Sequence, residues 1–209
     1  MQLATLADTF AKARLDAFRW RYNAAVAHKI GLALSMAVLT GLLAQVRFYL
    51  PWTPIPVTGQ TFAVLMAGVL LGRHWGGISM ALYAALGAFG IPWFAGWSGG
   101  LAVLAGPTGG YILGFIVAAL FLGHVTDKYV KSRNFLPMAV LMSIATVALI
   151  FVPGLIQLAI WTSVVQGEAV SLGQLMAMGL TPFLAGAVVK VAAAASLTKA
   201  VTPKSDYSK

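Results

Sequence analysis

Sorted into apolar and polar positions, the chain is a series of long apolar runs separated by short polar, proline-rich or glycine-rich breaks. The first run covers about residues 30–50. It stops at PWTPIPVTGQ, where Pro51, Pro54 and Pro56 withhold backbone N–H groups and their rings clash with a preceding helical turn. Two shorter runs follow, at about 57–71 and 78–89, joined by the turn sequence GRHWGG. A glycine-rich connection, IPWFAGWSGGLAVLAGPTGG, leads to a fourth run at about 111–125. The polar stretch TDKYVKSRN separates it from a fifth, at about 136–152, which Pro153 and Gly154 interrupt. A mixed segment, 155–178, holds Glu168, and a sixth run covers about 181–200. The pattern predicts an all-α integral membrane protein of about six transmembrane helices. A basic arm (1–29) precedes the spanning domain (30–200), and a polar tail (201–209) follows it.

Composition supports this. Hydrophobic residues make up 60% of the 209 and charged residues 9%, with a mean hydropathy of +0.87. A soluble domain carries about a quarter charged residues. This chain cannot cover itself with polar groups, so lipid is its solvent. Six spans of about 20 residues leave no room for a soluble catalytic domain. With no cysteine, disulfides, thiolate nucleophiles and thiolate metal sites are excluded. The start of the chain mixes acids and bases ahead of its first apolar run, unlike a cleavable signal peptide.

The net charge of +9 would suggest nucleic acid in a soluble protein. Here the basic residues flank the apolar runs and report topology, so no nucleic-acid partner is expected. The arm, the turn at Arg73, the loop at 128–133 and the tail hold nearly all of them. Cytoplasmic N- and C-termini put these segments inside a plasma-membrane, multi-pass protein. Lys12, Arg14, Arg19, Arg21 and Lys29 could hold the arm against anionic headgroups or serve only to set orientation. The proline- and glycine-rich segments then all fall outside. Irregular backbone at membrane depth persists only where it is buried in protein or lines a cavity, so the outer half is expected to enclose something.

Little catalytic chemistry is available. There is no GxxxxGK[ST] phosphate loop, and GPTGGY lacks the lysine. His28, His74 and His124 are isolated, and neither HExxH nor a carboxylate pair occurs, so neither an enzyme nor a metal or cofactor site is expected. No acid lies within a span, which argues against a proton-coupled pump. Lys190 is the one base deep in an apolar run, at an insertion cost of about 2.5–3.5 kcal/mol. It reads either as counter-charge to an anionic ligand or as a side chain reaching back to the interface. Arg47 has the same two readings. Trp52, Trp93, Phe94, Trp97, Tyr111 and Trp161 crowd the outer segments, as an interfacial belt or as the wall of a pocket for a small ring. Ala33, Ala37 and Gly41 recur every four residues, a smooth helix face for internal packing or for docking a membrane partner.

Three blocks, PWTPIPVTGQTFAVLMAGVLLG, GAFGIPWFAGWSGGLAVLAGPTGGYILGF and TPFLAGAVVK, resemble in order and spacing the signature segments of the BioY family. These proteins are the biotin-capturing S components of energy-coupling factor (ECF) transporters. The resemblance runs over about 27–200. It implies six helices and an outer-half biotin site. It also implies docking through Ala33 and Ala37 onto a transmembrane coupling subunit served by two ATPases. Biotin is then the transported ligand, not a cofactor. On this basis Gln60, Ser98, Tyr111 and the backbone of Gly99 and Gly100 would serve the ureido head. Tyr83, Trp93 and Phe183 would pack on the thiophane ring and chain, and Lys190 or Arg47 would meet the carboxylate. The chain departs from the family pattern at Ala187, usually aspartate, and at Ser98, often arginine. A capture protein for another small anionic nutrient, or a membrane assembly subunit without a ligand, are the other readings. Self-association is left open.

Overall fold

In lipid, each backbone N–H and C=O must find its partner within the protein, which leaves helices as the natural solution for apolar runs of this length. The computed structural model describes residues 2–167 and 170–207 and is helical almost throughout. An N-terminal helix, α1 (Gln2–Asn23), precedes α2 (Val26–Gln45). A short hairpin follows, β1 (Arg47–Phe48) pairing antiparallel with β2 (Val57–Thr58), Arg47 opposite Thr58. Then come α3 (Gln60–Ala88), the short α4 (Leu101–Ala105) and α5 (Gly109–Lys128). After a 3₁₀ turn (Val130–Arg133), α6 (Phe135–Ile144) passes through a π-helical stretch (Ala145–Phe151) into α7 (Val152–Gln166). The last helices are α8 (Leu172–Gly179) and α9 (Thr181–Val201). Glu168, singled out above, lies outside the described residues.

Among the described residues, five helical stretches are long and apolar enough to cross a membrane: Val26–Gln45, Gln60–Ala88, Gly109–Lys128, Phe135–Val165 and Leu172–Val201. The second is folded on itself. Gly72 has φ 80° and ψ −179°, a conformation essentially reserved for glycine, and interrupts the helix. A Cβ on Gly76 would lie 2.9 Å from the Ala67 carbonyl oxygen and from the Gly68 Cα. In a straight helix those residues would be about 12 Å apart along the axis, at ~1.5 Å per residue. The arms 60–71 and 73–88 therefore form a tight hairpin, so the five stretches contain six helical arms among the described residues, in keeping with the six apolar runs of the sequence. Each arm is short of the ~20 residues of a full crossing. The first arm therefore starts below the bundle end, with Gln60 buried.

Helix α5 packs along both arms. A Cβ on Gly68 would come within 2.6 Å of the Ala119 carbonyl oxygen, so only glycine allows this approach. The core runs through the bundle on Leu65, Met80, Leu122, Met138, Met142 and Leu158. The outward faces expose Leu34, Val38 and Leu42 of α2 and Val188 and Val189 of α9, apolar as lipid requires.

The arm and tail are less separate than their polarity suggested. Arg21 of α1 is buried, binds Asp127 at 2.9 Å and donates to the Leu70 carbonyl at 3.1 Å. Tyr207 of the tail is buried beside it and donates its hydroxyl to the same carboxylate. Burial pushes the Tyr207 pKa up to about 12, so the phenol remains a donor at neutral pH. Arg133 donates to the carbonyls of Thr126, Pro203 and Ser205, at 2.9, 3.0 and 2.8 Å, and lies over the Tyr207 ring. Both chain ends are thus fastened at the end of the bundle that carries the Gly72 turn.

Gly72→Ala places a Cβ 2.6 Å from Asp127 Oδ2 in a backbone conformation closed to alanine. It is expected to destabilise the fold by about 1–3 kcal/mol. Gly31→Ala, on a helix with nothing within 4 Å, is expected to be neutral or stabilising by up to ~1 kcal/mol. Thermal unfolding in detergent measures both.

Candidate functional site

At the opposite end the proline- and glycine-rich segments enclose a cavity of about 280 Å³. This is close to the lower bound of about 300 Å³ for small-molecule sites. Loops, a π-helical stretch and two regular helices supply its walls. Pro54, Ile55, Pro56 and Thr58 come from the connection between α2 and α3, and Phe94, Ala95 and Ser98 from that between α3 and α4. Tyr111, Ile112 and Phe115 come from α5, and Phe183 and Lys190 from α9. Ile150 and Phe151 come from the π-helical stretch. Pro153 has no N–H to give to the Leu149 carbonyl one turn earlier, and the wider π turn lies immediately before it.

The irregular backbone leaves carbonyls that side chains satisfy. Gln45 donates to the carbonyls of Gly41, Trp93 and Phe94 at 3.0, 3.3 and 3.0 Å. Its oxygen accepts from Arg47 at 2.8 Å and from the Trp97 amide at 3.1 Å. Trp97, a non-glycine residue at φ 55°, is held there by this amide contact. Gln157 reaches the Ala105 and Gly106 carbonyls at 3.2 and 3.3 Å. Thr53 donates to Met178 O at 2.7 Å, and Tyr111 to Gly179 O at 2.8 Å. These contacts tie both loops and the start of α9 together around the cavity.

The sequence candidates divide accordingly. Gln60, Ser98, Tyr111, Phe183 and Lys190 all line the cavity. Lys190 Nζ donates to the Thr58 carbonyl at 3.0 Å, and the Thr58 hydroxyl donates to Gln60 Oε1 at 2.9 Å, so lysine and amide share one polar end. Lys190 is the only charged residue among the described residues of the lining. Phe183 and Tyr111 flank Phe151, each with ring centroids 6.3 Å from it.

The other candidates sit elsewhere. Tyr83 and Trp93 are buried but do not line the cavity. Their rings stack at 5.5 Å, the Trp93 indole donates to Tyr83 O at 3.0 Å, and the Tyr83 hydroxyl accepts from Gln60 Nε2 at 2.6 Å. They hold Gln60 in place from behind, since aromatic bulk at this depth fills the core. Gly99 and Gly100 are also off the lining, and Gly100 instead donates its amide to Gly87 O at 2.7 Å. Arg47 is absent from the lining because its guanidinium is engaged by Gln45. The docking face is corrected too. Ala33, Ala37 and Gly41 are buried by this chain's own structure, with Ser79 donating to Ala33 O at 2.8 Å and Trp93 packed on Gly41. Small residues there let α2 approach the second arm of α3. Ala187 is buried away from the lining, so no acid stands at that position against Lys190.

Sequence reasoning missed Gln45, Gln157 and Phe151. A glutamine just before a helix-breaking segment, and an aromatic just before proline, were the available signals. Gln45→Leu removes the acceptor of the Trp97 amide and three carbonyl contacts. Its expected effect is faster hydrogen exchange at Trp97, with exchange along α5 unchanged.

Comparison with known proteins agrees with this architecture. The BioY family profile matches residues 13–206. A probable biotin transporter BioY of Methanothermobacter thermautotrophicus is 51% identical over 142 residues, 68% of this chain and 90% of that protein. The biotin transporter BioY of Rhizobium etli is 31% identical over 171 residues, 81% of this chain and 89% of that protein. The crystal structure of the S component for biotin from an ECF-type ABC transporter superposes with a TM-score of 0.73 at 23% identity. That match covers 83% of this chain and 89% of the solved one, and shows a shared fold. A multi-pass membrane chain with this bundle and this extent of family match is a member of the BioY family.

Proposed function

We propose that the chain captures biotin in this cavity and delivers it across the membrane as the substrate-binding subunit of an ECF-type transporter. The observation that carries the reading is Lys190, a lone cation in a largely apolar, aromatic-lined cavity whose lining holds no acid among the described residues. A cation whose described partner is a single carbonyl and not an acid is costly at membrane depth, and an anionic ligand lowers that cost. Biotin brings one carboxylate, a small apolar ring and a neutral hydrogen-bonding head. Lys190 takes the carboxylate. Phe151, Phe183 and Ile112 pack on the ring and chain, and Ser98 and Tyr111 face the head. Gln60 stands beside Lys190 through Thr58 and shapes that polar end. The names of the relatives support the same ligand.

The positive-inside rule places the Arg73, Lys131 and Lys199 end in the cytosol, so the cavity faces outward. The chain has no phosphate loop, so energy comes from partners: a coupling membrane subunit and its ATPases. Because Ala33 and Ala37 are used internally, the partner would contact an exposed apolar face such as Leu34, Val38 and Leu42. The cavity argues against a purely structural subunit.

Purified protein is expected to bind biotin saturably in calorimetry; a flat titration with folded protein removes the proposal. Lys190→Met deletes a charge-assisted contact of about 1.5–3 kcal/mol, so biotin affinity should fall ~10–150-fold. Biotin amide should bind both forms similarly, and equal losses for the two ligands would reject the counter-charge role. Because Ala187 and Ser98 depart from the family pattern, a competition panel of other small anionic nutrients tests the ligand's identity.

A further inference from the structure

A second cavity lies at the other end of the bundle, between the 3₁₀ turn and the end of α9. It measures about 180 Å³ and is lined by Val130, Lys131, Arg133, Asn134, Lys199, Thr202, Pro203 and Lys204. Four of these are cations, and no acid lines the cavity among the described residues. Asp127 and Asp206 act electrostatically on Arg133, but neither lies on the lining. Two features give the cavity a fixed shape. Arg133 is buried and tied to three carbonyls, two of them in the tail, which holds residues 203–205 against the turn. The three lysines are exposed and none of them enters an ion pair among the described residues, so no acid there neutralises the charge they bring to the lining. Helix α6 begins there too. Its first-turn N–H groups receive no side-chain cap, which adds partial positive charge at the same spot.

We propose that this cavity binds a phosphate group, supplied by the headgroup of an anionic phospholipid in the leaflet at that end of the bundle. Converging cations without an acid select an anion, and lysines suit phosphate as point charges. The flanks point to lipid as the source. Phe135, Leu136 and Val140 of α6 and Leu197 of α9 are exposed and apolar beside the cavity, so acyl chains below a seated headgroup meet a matching surface. The site is separate from the biotin cavity in place and in residues, and does not depend on the biotin assignment.

The test uses the full chain purified in neutral detergent. Lipid retention is read by native mass spectrometry on titration with phosphatidylglycerol or phosphatidylcholine, and inorganic phosphate is titrated in parallel by calorimetry. The variant Lys131→Ala/Lys199→Ala/Lys204→Ala is compared with Lys12→Ala/Arg19→Ala/Lys29→Ala, which removes equal charge from the N-terminal segment. Wild type and the control should retain phosphatidylglycerol over phosphatidylcholine. The first variant should lose affinity on the order of 100-fold, at about fivefold per lysine. Its thermal unfolding in detergent should match that of wild type, which shows that it is folded. Phosphate binding that the same variant abolishes, without lipid preference, supports the site with a free phosphate as its source. Equal lipid and phosphate binding by wild type and the first variant, or equal loss in both variants, overturns the proposal.

Discussion

The structure depends on the need of each backbone polar group for a partner inside lipid. Helices meet it for most of the chain. Where proline and glycine break the helices, side chains meet it instead. Gln45 serves three carbonyls, Gln157 serves those at the end of α4, and Thr53 and Tyr111 serve the turn before α9. The same contacts fix the loops and the start of α9 around a space that the side chains leave unfilled. The cavity is therefore a consequence of how the irregular backbone is satisfied, not an opening added to a finished bundle.

Charge is distributed by the same logic. At one end Arg21, Asp127, Arg133 and Tyr207 form a hydrogen-bonded cluster, with Arg21 paired to Asp127 and Arg133 held by carbonyls, that fastens α1 and the tail. Within the cavity, Lys190 has only the Thr58 carbonyl to lean on among the contacts described. Pairing makes the first arrangement structural. A half-buried cation with a dipole partner and no acid beside it remains available to an incoming anion.

The hairpin of α3 links the two ends. Because Gly72 lets the chain reverse within the bundle, the first arm is short and its first residue, Gln60, is buried next to the cavity. Tyr83, on the second arm, reaches Gln60 because the arms are antiparallel. Asp127 sits against Gly72 at the far end, where it also receives Arg21 and the amide of Arg73. One glycine thus sets the depth of the binding end and the position of the clasp.

The pattern of apolar runs by itself determined a six-pass helical membrane chain, because length and hydropathy set how many times a chain can cross lipid. Proline and glycine positions likewise marked which end would be irregular, and a lysine alone in an apolar run marked the cation that lines the cavity. Tertiary structure alone decided which aromatics line the cavity. Trp93 and Tyr83 read like a pocket wall but stack behind it, while Phe151 enters the lining through a π turn that no periodicity announces. It also turned Ala33 and Ala37 inward, since a small-residue face suits one's own helix as well as a partner's. Residue spacing fixes the face of a helix that a side chain occupies, and only packing selects what that face meets.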